Sequence, residues 1–120
     1  MAEHNDLGNK GEELAIGHLR GLGYTILATN WRCQKDEIDV VALDGNTLVI
    51  AEVKTRTSNY FGEPETFVDR NKQKFLVRAA NEYIRLNNFK GETRFDIVSI
   101  VMAEGKQPRL NHLKDAFYPY

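Results

Sequence analysis

The feature that most restricts the fold is a pair of apolar segments close together near the middle of the chain. They read EIDVVAL at residues 37–43 and LVIAEVK at residues 48–54, and DGNT lies between them. Short runs rich in Val and Ile that flank a Gly-Asn or Asp-Gly turn are typical of a β-hairpin. The sequence therefore predicts two neighbouring antiparallel strands.

The position of the turn determines which residues of this hairpin face each other. If residues 45–46 form the turn, Asp39 lies directly opposite Glu52, and Glu37 lies opposite Lys54. A turn centred one residue earlier shifts the register by two, which leaves Asp39 and Glu52 diagonally close, roughly 7 Å apart. Both registers place the two carboxylates on one face of the sheet.

Two acids in such apolar strands require an explanation. Opposed carboxylates repel each other and destabilise a sheet, whereas a divalent cation between them would turn the repulsion into attraction. Asp39 and Glu52 could instead be a solvated edge pair, or each could pair with an Arg. Because carboxylates are costly to bury without a partner, we favour a metal-dependent site, with Lys54 on the same face as Glu52.

Length and composition limit the class of protein. A chain of 120 residues with 42% hydrophobic and 28% charged residues suits one globular domain, 1–120, with its core at about 8–102. No segment approaches the length of a membrane span, and residues 1–6 do not have the pattern of a signal peptide. Cys33 is the only cysteine, and the three His lack zinc-site spacing. We expect a cytoplasmic protein.

The charge distribution leaves nucleic-acid binding open. The net charge of −1 argues against a strongly basic surface. Residues 69–90, however, contain six basic side chains against two acidic ones. The basic residues are Arg70, Lys72, Lys74, Arg78, Arg85 and Lys90. They could form a local basic face or an ordinary solvated helix surface.

Apolar periodicity and breaker residues predict the order helix, three strands, helix, strand, strand. The predicted helices cover about residues 8–22 and 68–86. The strands outside the hairpin cover 24–27 or beyond, reaching toward 30–32, and about 95–102 and 109–113. The first helix is expected to start near residues 5 and 6. This order indicates an α/β or α+β sheet flanked by helices.

Two charged residues fall on the apolar faces of the predicted helices. Glu12 lies within the apolar arc of the first helix, although an acid in a first turn can simply favour the helix dipole. Lys72 lies on the core stripe of the second helix, where its amine either points along the sheet or extends to solvent. The predicted core stripe is Phe75, Leu76, Ala79, Ala80 and Tyr83.

The arrangement of Asp39, twelve residues, and then Glu52-Val53-Lys54 resembles the D-x(n)-E-x-K motif of the restriction-endonuclease-like, or PD-(D/E)xK, nuclease superfamily. The motif alone is common by chance. Further segments in the order of the YraN family make the resemblance specific, and it extends from about residue 8 to residue 101. These segments are Gly11-Glu12-Glu13-Leu14-Ala15, Asn30-Trp31-Arg32, Glu37-Ile38-Asp39, Thr55-Arg56, Lys72 with Ala79-Ala80, and Arg94-Phe95-Asp96.

That family comprises small bacterial proteins related in fold to Holliday-junction resolvases. The resemblance implies a central four- or five-stranded mixed sheet flanked by helices, and a nuclease that uses Mg²⁺ or Mn²⁺. The implied metal ligands are Asp39, Glu52 and the carbonyl of Val53. Lys54 would orient or deprotonate the attacking water, and Glu12 would complete the acidic cluster. Arg56 and Lys72 would contact backbone phosphates.

One departure and two rival functions accompany this hypothesis. The family usually has Gly before Glu-Ile-Asp, whereas this chain has Asp36. The same fold could serve a non-catalytic nucleic-acid-binding module. It could also serve a protein-interaction factor that uses the Tyr60-Phe61 loop and the aromatic C-terminal segment. A nuclease acting on structured or branched DNA, with a homodimer as a further possibility, is the preferred hypothesis.

Overall fold

The computed structural model describes residues 2–57, 68–103 and 105–117, with side chains described from residue 8 onwards. Within these ranges the chain forms helices α1 (Ala2–Gly21) and α2 (Arg70–Asn87) and strands β1 (Thr25–Cys33), β2 (Asp36–Asp44), β3 (Thr47–Arg56), β4 (Thr93–Val101) and β5 (Arg109–Phe117). The predicted order of elements is confirmed. Neither of these helices is long and apolar enough to cross a membrane.

The start of each helix differs from the sequence-based boundary. Helix α1 begins at Ala2, so residues 5 and 6 lie inside the helix and not at its start. Helix α2 begins at Arg70 because Asp69 caps it, and an Asp69 carboxylate oxygen accepts a hydrogen bond of 2.9 Å from the backbone N–H of Lys72.

The strands form one five-stranded sheet in the order β1-β2-β3-β4-β5. The β3–β4 pair is parallel and the other pairs are antiparallel, and α2 makes the crossover that parallel neighbours require. The hairpin pairs Asp44 with Thr47 and Val40 with Ala51, so the turn lies at residues 45–46 and the alternative register is wrong. The predicted α/β fold is confirmed, and it is compatible with a restriction-endonuclease-like domain.

Each face of the sheet carries its own apolar cluster, because neighbouring side chains along a strand point to opposite faces. The cluster under α2 contains Ile38, Val41, Leu48, Ile50, Leu76, Ala79, Ala80, Tyr83, Phe95 and Ile97. The cluster under α1 contains Ala15, Leu19, Val40, Ala42, Val49, Ala51, Val98 and Ile100. The central strands β3 and β4 are therefore covered on both sides.

Strand β2 changes phase at Asp39. Ile38 and Val41 both belong to the α2 cluster although they are three residues apart, whereas Val40 belongs to the α1 cluster. A regular strand would place residues two apart on the same face. The pairing of β2 with β3 ends at the same point, at Val40 and Ala51. The irregularity thus separates the two strands next to the acids of the predicted site.

Strand β1 changes phase at the matching position. Ala28 and Trp31 both pack against the α2 cluster although they too are three residues apart. Between them, Asn30 has a φ of 50°, in the left-handed region that few residues other than Gly and Asn tolerate. Two neighbouring strands therefore bend together beside Asp39.

Several local predictions are corrected by the tertiary structure. Phe75, predicted in the core stripe, is 47% exposed, and the Arg78 guanidinium lies 5.1 Å from its ring centroid. Glu37 pairs with Arg32 of β1, through a side-chain ion pair of 3.0 Å, and not with Lys54. The aromatic loop at residues 60–61 and the C-terminal residues 118–120 lie outside the described residues.

Candidate active site

The acid pair lies where β2 and β3 separate. Beyond the last paired residues, the backbone N–H of Val53 donates a hydrogen bond of 2.8 Å to Oδ2 of Asp39. A carboxylate thus takes the place that a strand carbonyl would occupy in a continued ladder. Glu52 is adjacent and only 4% exposed, whereas Asp39 is half-buried. The break in the sheet therefore brings two carboxylates together at the margin of the core.

The Glu52 carboxylate is only half satisfied by its neighbours. Its Oε2 lies 3.4 Å from Nζ of Lys72 and 3.7 Å from Nζ of Lys54. Its Oε1 is buried and has no hydrogen-bond partner among the described residues. When Asp39 and Glu52 are both ionised, neither can donate to the other, so this oxygen carries negative charge without a donor. Such an atom is costly in a folded protein.

The pKa values of Glu52 and Asp39 reflect the energetic cost of this burial. Burial and the neighbouring Asp39 carboxylate raise the pKa of Glu52 from 4.5 to about 7, despite the two lysines. Burial also raises the pKa of Asp39, against the opposing effect of the hydrogen bond from Val53. At neutral pH the pair therefore tends to retain a proton. A bound cation would remove this tendency.

A second buried acid shows what a purely structural carboxylate looks like in the same sheet. Asp96 is 1% exposed and accepts hydrogen bonds from Nε of Arg94 (2.9 Å), from the backbone N–H of Asp115 (3.0 Å) and, at 2.7 Å, from Nε2 of His112. Burial alone would raise its pKa, but these donors outweigh burial and lower it. Arg94 and Asp96 thereby form an ion pair. Glu52 is equally buried, yet it lacks such a set of donors.

Helix α1 brings a third carboxylate towards the site. Nδ2 of Asn30 donates a hydrogen bond of 2.6 Å to Oε1 of Glu12. Burial raises the pKa of Glu12, the Asn30 hydrogen bond opposes this, and the charges of Asp39 and Glu37 raise it further. Glu12 therefore lies within the electrostatic field of the acid pair, held by a residue from the irregular part of β1.

The close approach of α1 depends on a glycine. Gly11 is buried against Thr55 of β3, and a Cβ at position 11 would overlap the Thr55 hydroxyl and lie 3.0 Å from its Cβ. Real Cβ atoms essentially never approach that closely. Gly11 thus allows the short distance between α1 and β3, and this distance determines how far the neighbouring residue Glu12 lies from the sheet.

The cationic residues predicted for the site lie on one face of β3 and on α2. Glu52, Lys54 and Arg56 alternate along β3, so they point to the face covered by α2. Lys54 is partly exposed and Arg56 is exposed. Lys72 reaches Glu52 from the first turns of α2. Its amine therefore points along the sheet, which was one of the two orientations that the sequence left open. Along this face of β3, the side chains change from the buried acid Glu52 to the partly exposed Lys54 and the exposed Arg56.

Sequence reasoning did not assign a role to Asn30. It was noted only as part of a motif, yet it contacts Glu12 and marks the bend in β1. An Asn within an otherwise β-like segment was the available signal, because Asn tolerates the left-handed conformation better than most residues. Among the described residues, no three His, Cys, Asp or Glu side chains are grouped so that they could hold a metal ion by themselves.

Comparison with known proteins identifies the family. The model of the uncharacterised protein family UPF0102 matches residues 11–100. The chain belongs to the UPF0102 family. It is 51% identical to a UPF0102 protein from Flavobacterium psychrophilum over the full length of both chains. It is 47% identical to one from Christiangramia forsetii over 98% of each chain, and 42% identical to one from Geobacter metallireducens over 98% of this chain and 97% of the relative.

The UPF0102 match contains the whole candidate site. Glu12, Asp39, Glu52, Lys54 and Lys72 all fall between residues 11 and 100. The matched segment also contains Gly11, so the helix–strand contact that positions Glu12 belongs to the family region as well. The family description names no activity.

Proposed function

We propose that this UPF0102 protein is a metal-dependent nuclease that hydrolyses phosphodiester bonds in nucleic acid. The observation that supports this proposal is the buried acid pair of Asp39 and Glu52, in which Oε1 of Glu52 has no donor when both acids are ionised and Oε2 lies 3.7 Å from the amine of Lys54. A structural acid in the same sheet is fully hydrogen-bonded, so burial alone does not account for the arrangement.

The donor set fits Mg²⁺ or Mn²⁺. Both are hard cations that prefer oxygen ligands, and Mg²⁺ commonly uses one or two carboxylates and keeps several waters. Asp39 and Glu52 would supply the carboxylates. The N–H and C=O of a strand residue point to the same side, so the Val53 carbonyl faces the side on which its N–H contacts Asp39. It would be the third ligand, and a group of three acidic side chains is not required.

Each neighbouring residue has a defined part in such a reaction. A divalent cation at this position supplies Lewis-acid activation of the attacking water and of the scissile phosphate. The Lys54 ammonium, on the same face as Glu52, would orient the attacking water and stabilise negative charge that develops on the phosphate. Glu12, oriented by Asn30, orders water on the α1 side of the pair.

The substrate is recognised through its phosphates. Lys72 contacts Glu52, and Arg56 lies four residues further along the same face of β3; both would supply positive charge without any reading of base sequence. The family's likeness to junction resolvases favours structured or branched DNA in the cytoplasm as the substrate. Coordinated cleavage of two strands would favour a homodimer.

The test is cleavage of labelled single-stranded, duplex, flapped and four-way-junction DNA with Mn²⁺, Mg²⁺ or EDTA. Asp39→Asn and Lys54→Met preserve side-chain size and should each reduce cleavage at least about 100-fold. Glu13→Gln and Lys74→Met are matched controls at exposed positions of α1 and α2 and should retain wild-type rates. Cleavage that survives in both site variants indicates a contaminant and refutes the assignment. Tight, salt-dependent binding without cleavage would indicate a binding module.

A further inference from the structure

Glu52 Oε2 has two cationic neighbours at the site, the amines of Lys54 and Lys72. The closer of them is Lys72, whose Nζ lies 3.4 Å away and reaches Glu52 from α2. A divalent cation held by Asp39 and Glu52 would lie within a few ångströms of the same amine. Two cations so close repel strongly, and the ion with the higher charge has the larger interaction with the carboxylates. The metal and Lys72 therefore compete for one oxygen.

Lys72 is held at its backbone and partly exposed at its side chain. Its N–H is held by the cap residue Asp69, and α2 is anchored one turn later by buried Leu76. The side chain is 41% exposed and ends in a flexible four-carbon stem. The amine can consequently leave Glu52 for another anion without any movement of the helix.

We propose that Lys72 is a displaceable counter-ion, which neutralises Glu52 in the metal-free protein and is transferred to a substrate phosphate when the metal binds. This role rests on the proposed function. It makes metal and nucleic acid bind with positive coupling, because the metal releases the amine that then contacts the phosphate. Lys54 differs from Lys72, since it is rooted on the same strand as Glu52 and remains beside it.

The decisive variant is Lys72→Met, which keeps the stem and removes the charge. The Lys72 ammonium lies 3.4 Å from Glu52 Oε2 and would repel a divalent cation held by the same carboxylate, so loss of the charge favours metal binding. Titration calorimetry with Mn²⁺ at pH 8 should show binding on the order of ten-fold tighter than wild type. Lys72→Arg, which keeps the charge, should bind Mn²⁺ like wild type. Lys74→Met is the control on the exposed face of α2 and should not change Mn²⁺ affinity.

Nucleic-acid binding is measured in parallel, by fluorescence anisotropy of a labelled four-way junction in Ca²⁺ and in EDTA. Lys72→Met should bind like wild type in EDTA, because Glu52 already holds the amine there, and should gain less affinity from Ca²⁺ than wild type does. Equal loss of DNA affinity in EDTA and in Ca²⁺ would make Lys72 an ordinary phosphate contact and overturn the proposal.

The Mn²⁺ titration distinguishes failure of the proposed metal site from failure of the proposed role of Lys72. Wild-type binding of Mn²⁺ that Lys72→Met fails to strengthen overturns the role of Lys72 and leaves the metal site intact. Absence of Mn²⁺ binding to wild type and to every variant overturns the metal site and the counter-ion role together. Circular dichroism of each variant establishes that it is folded before either result is interpreted.

Discussion

Replacement of Glu52 by Gln should stabilise the metal-free protein increasingly as the pH rises. In the folded state the pKa of Glu52 is raised from 4.5 to about 7 by burial and by the charge of Asp39. The carboxyl therefore contributes stability below pH 4.5 that is lost as the pH rises through about 7. With its side chain only 5% exposed, the shift corresponds to about 3 kcal/mol. Gln is close in shape and does not ionise, so the variant avoids this loss.

The assay is urea unfolding in EDTA at several pH values between 4.5 and 8.5. The free energy of unfolding of Glu52→Gln, relative to wild type, should rise by about 3 kcal/mol over this range. Glu13→Gln, which removes an exposed carboxyl from α1, should show no such trend. Addition of Mn²⁺ at pH 8 should stabilise wild type and leave Glu52→Gln unchanged, because the ligand carboxylate is missing.

A flat difference between Glu52→Gln and wild type would refute the reasoning. It would mean that Oε1 of Glu52 finds solvent or a donor in the folded protein, so that its ionisation has no energetic penalty. A fall in stability with rising pH in the variant alone would also contradict it, because that result would place the buried titrating group elsewhere.

Two further predictions concern the contacts that hold α1 over the site. Asn30→Gly keeps the left-handed backbone and removes the Nδ2 donor to Glu12, so the pKa of Glu12 should rise above its wild-type value. Carboxyl-detected NMR titration measures this pKa, and an unchanged value would contradict the Asn30–Glu12 contact. Gly11→Ala should lower the free energy of unfolding, measured by thermal melts, by about 1–3 kcal/mol because the new Cβ overlaps Thr55. Gly17→Ala is the control: Gly17 has open space around it, so this variant should be neutral or more stable by up to about 1 kcal/mol. Equal effects of the two substitutions would show that α1 does not approach β3 so closely.

Regions near the tight turn were predictable because local chemistry decides them. Gly45 has a φ of 61°, a conformation that glycine favours, and the pairing from Asp44–Thr47 to Val40–Ala51 follows directly from the turn position. Alternation along the strands also predicted that Asp39 and Glu52 lie close together, although β2 changes phase at Asp39 and its pairing with β3 ends before the two acids. The burial of Leu76 was predictable from the helical period.

Errors arose where several elements meet. Phe75 was assigned to the same helical stripe as Leu76, but only Leu76 packs in the α2 cluster, and the Arg78 guanidinium lies over the exposed Phe75 ring. Glu37 was expected beside Lys54, yet β2 leaves β3 before reaching it and pairs with Arg32. The apolar pattern within one strand does not indicate where the neighbouring strand stops pairing with it.

The sequence by itself determined the order of the elements, the presence of the hairpin and the membership of the acids in one motif, and it left two hairpin registers open. It did so because turn geometry and side-chain alternation are local properties. Only the tertiary structure decided that β1 and β2 bend together at Asn30 and Asp39, that Gly11 lets α1 descend, and that Glu52 keeps one oxygen without a donor. Those features depend on two apolar clusters packing simultaneously against opposite faces of the sheet, and such packing is a property of the assembled fold.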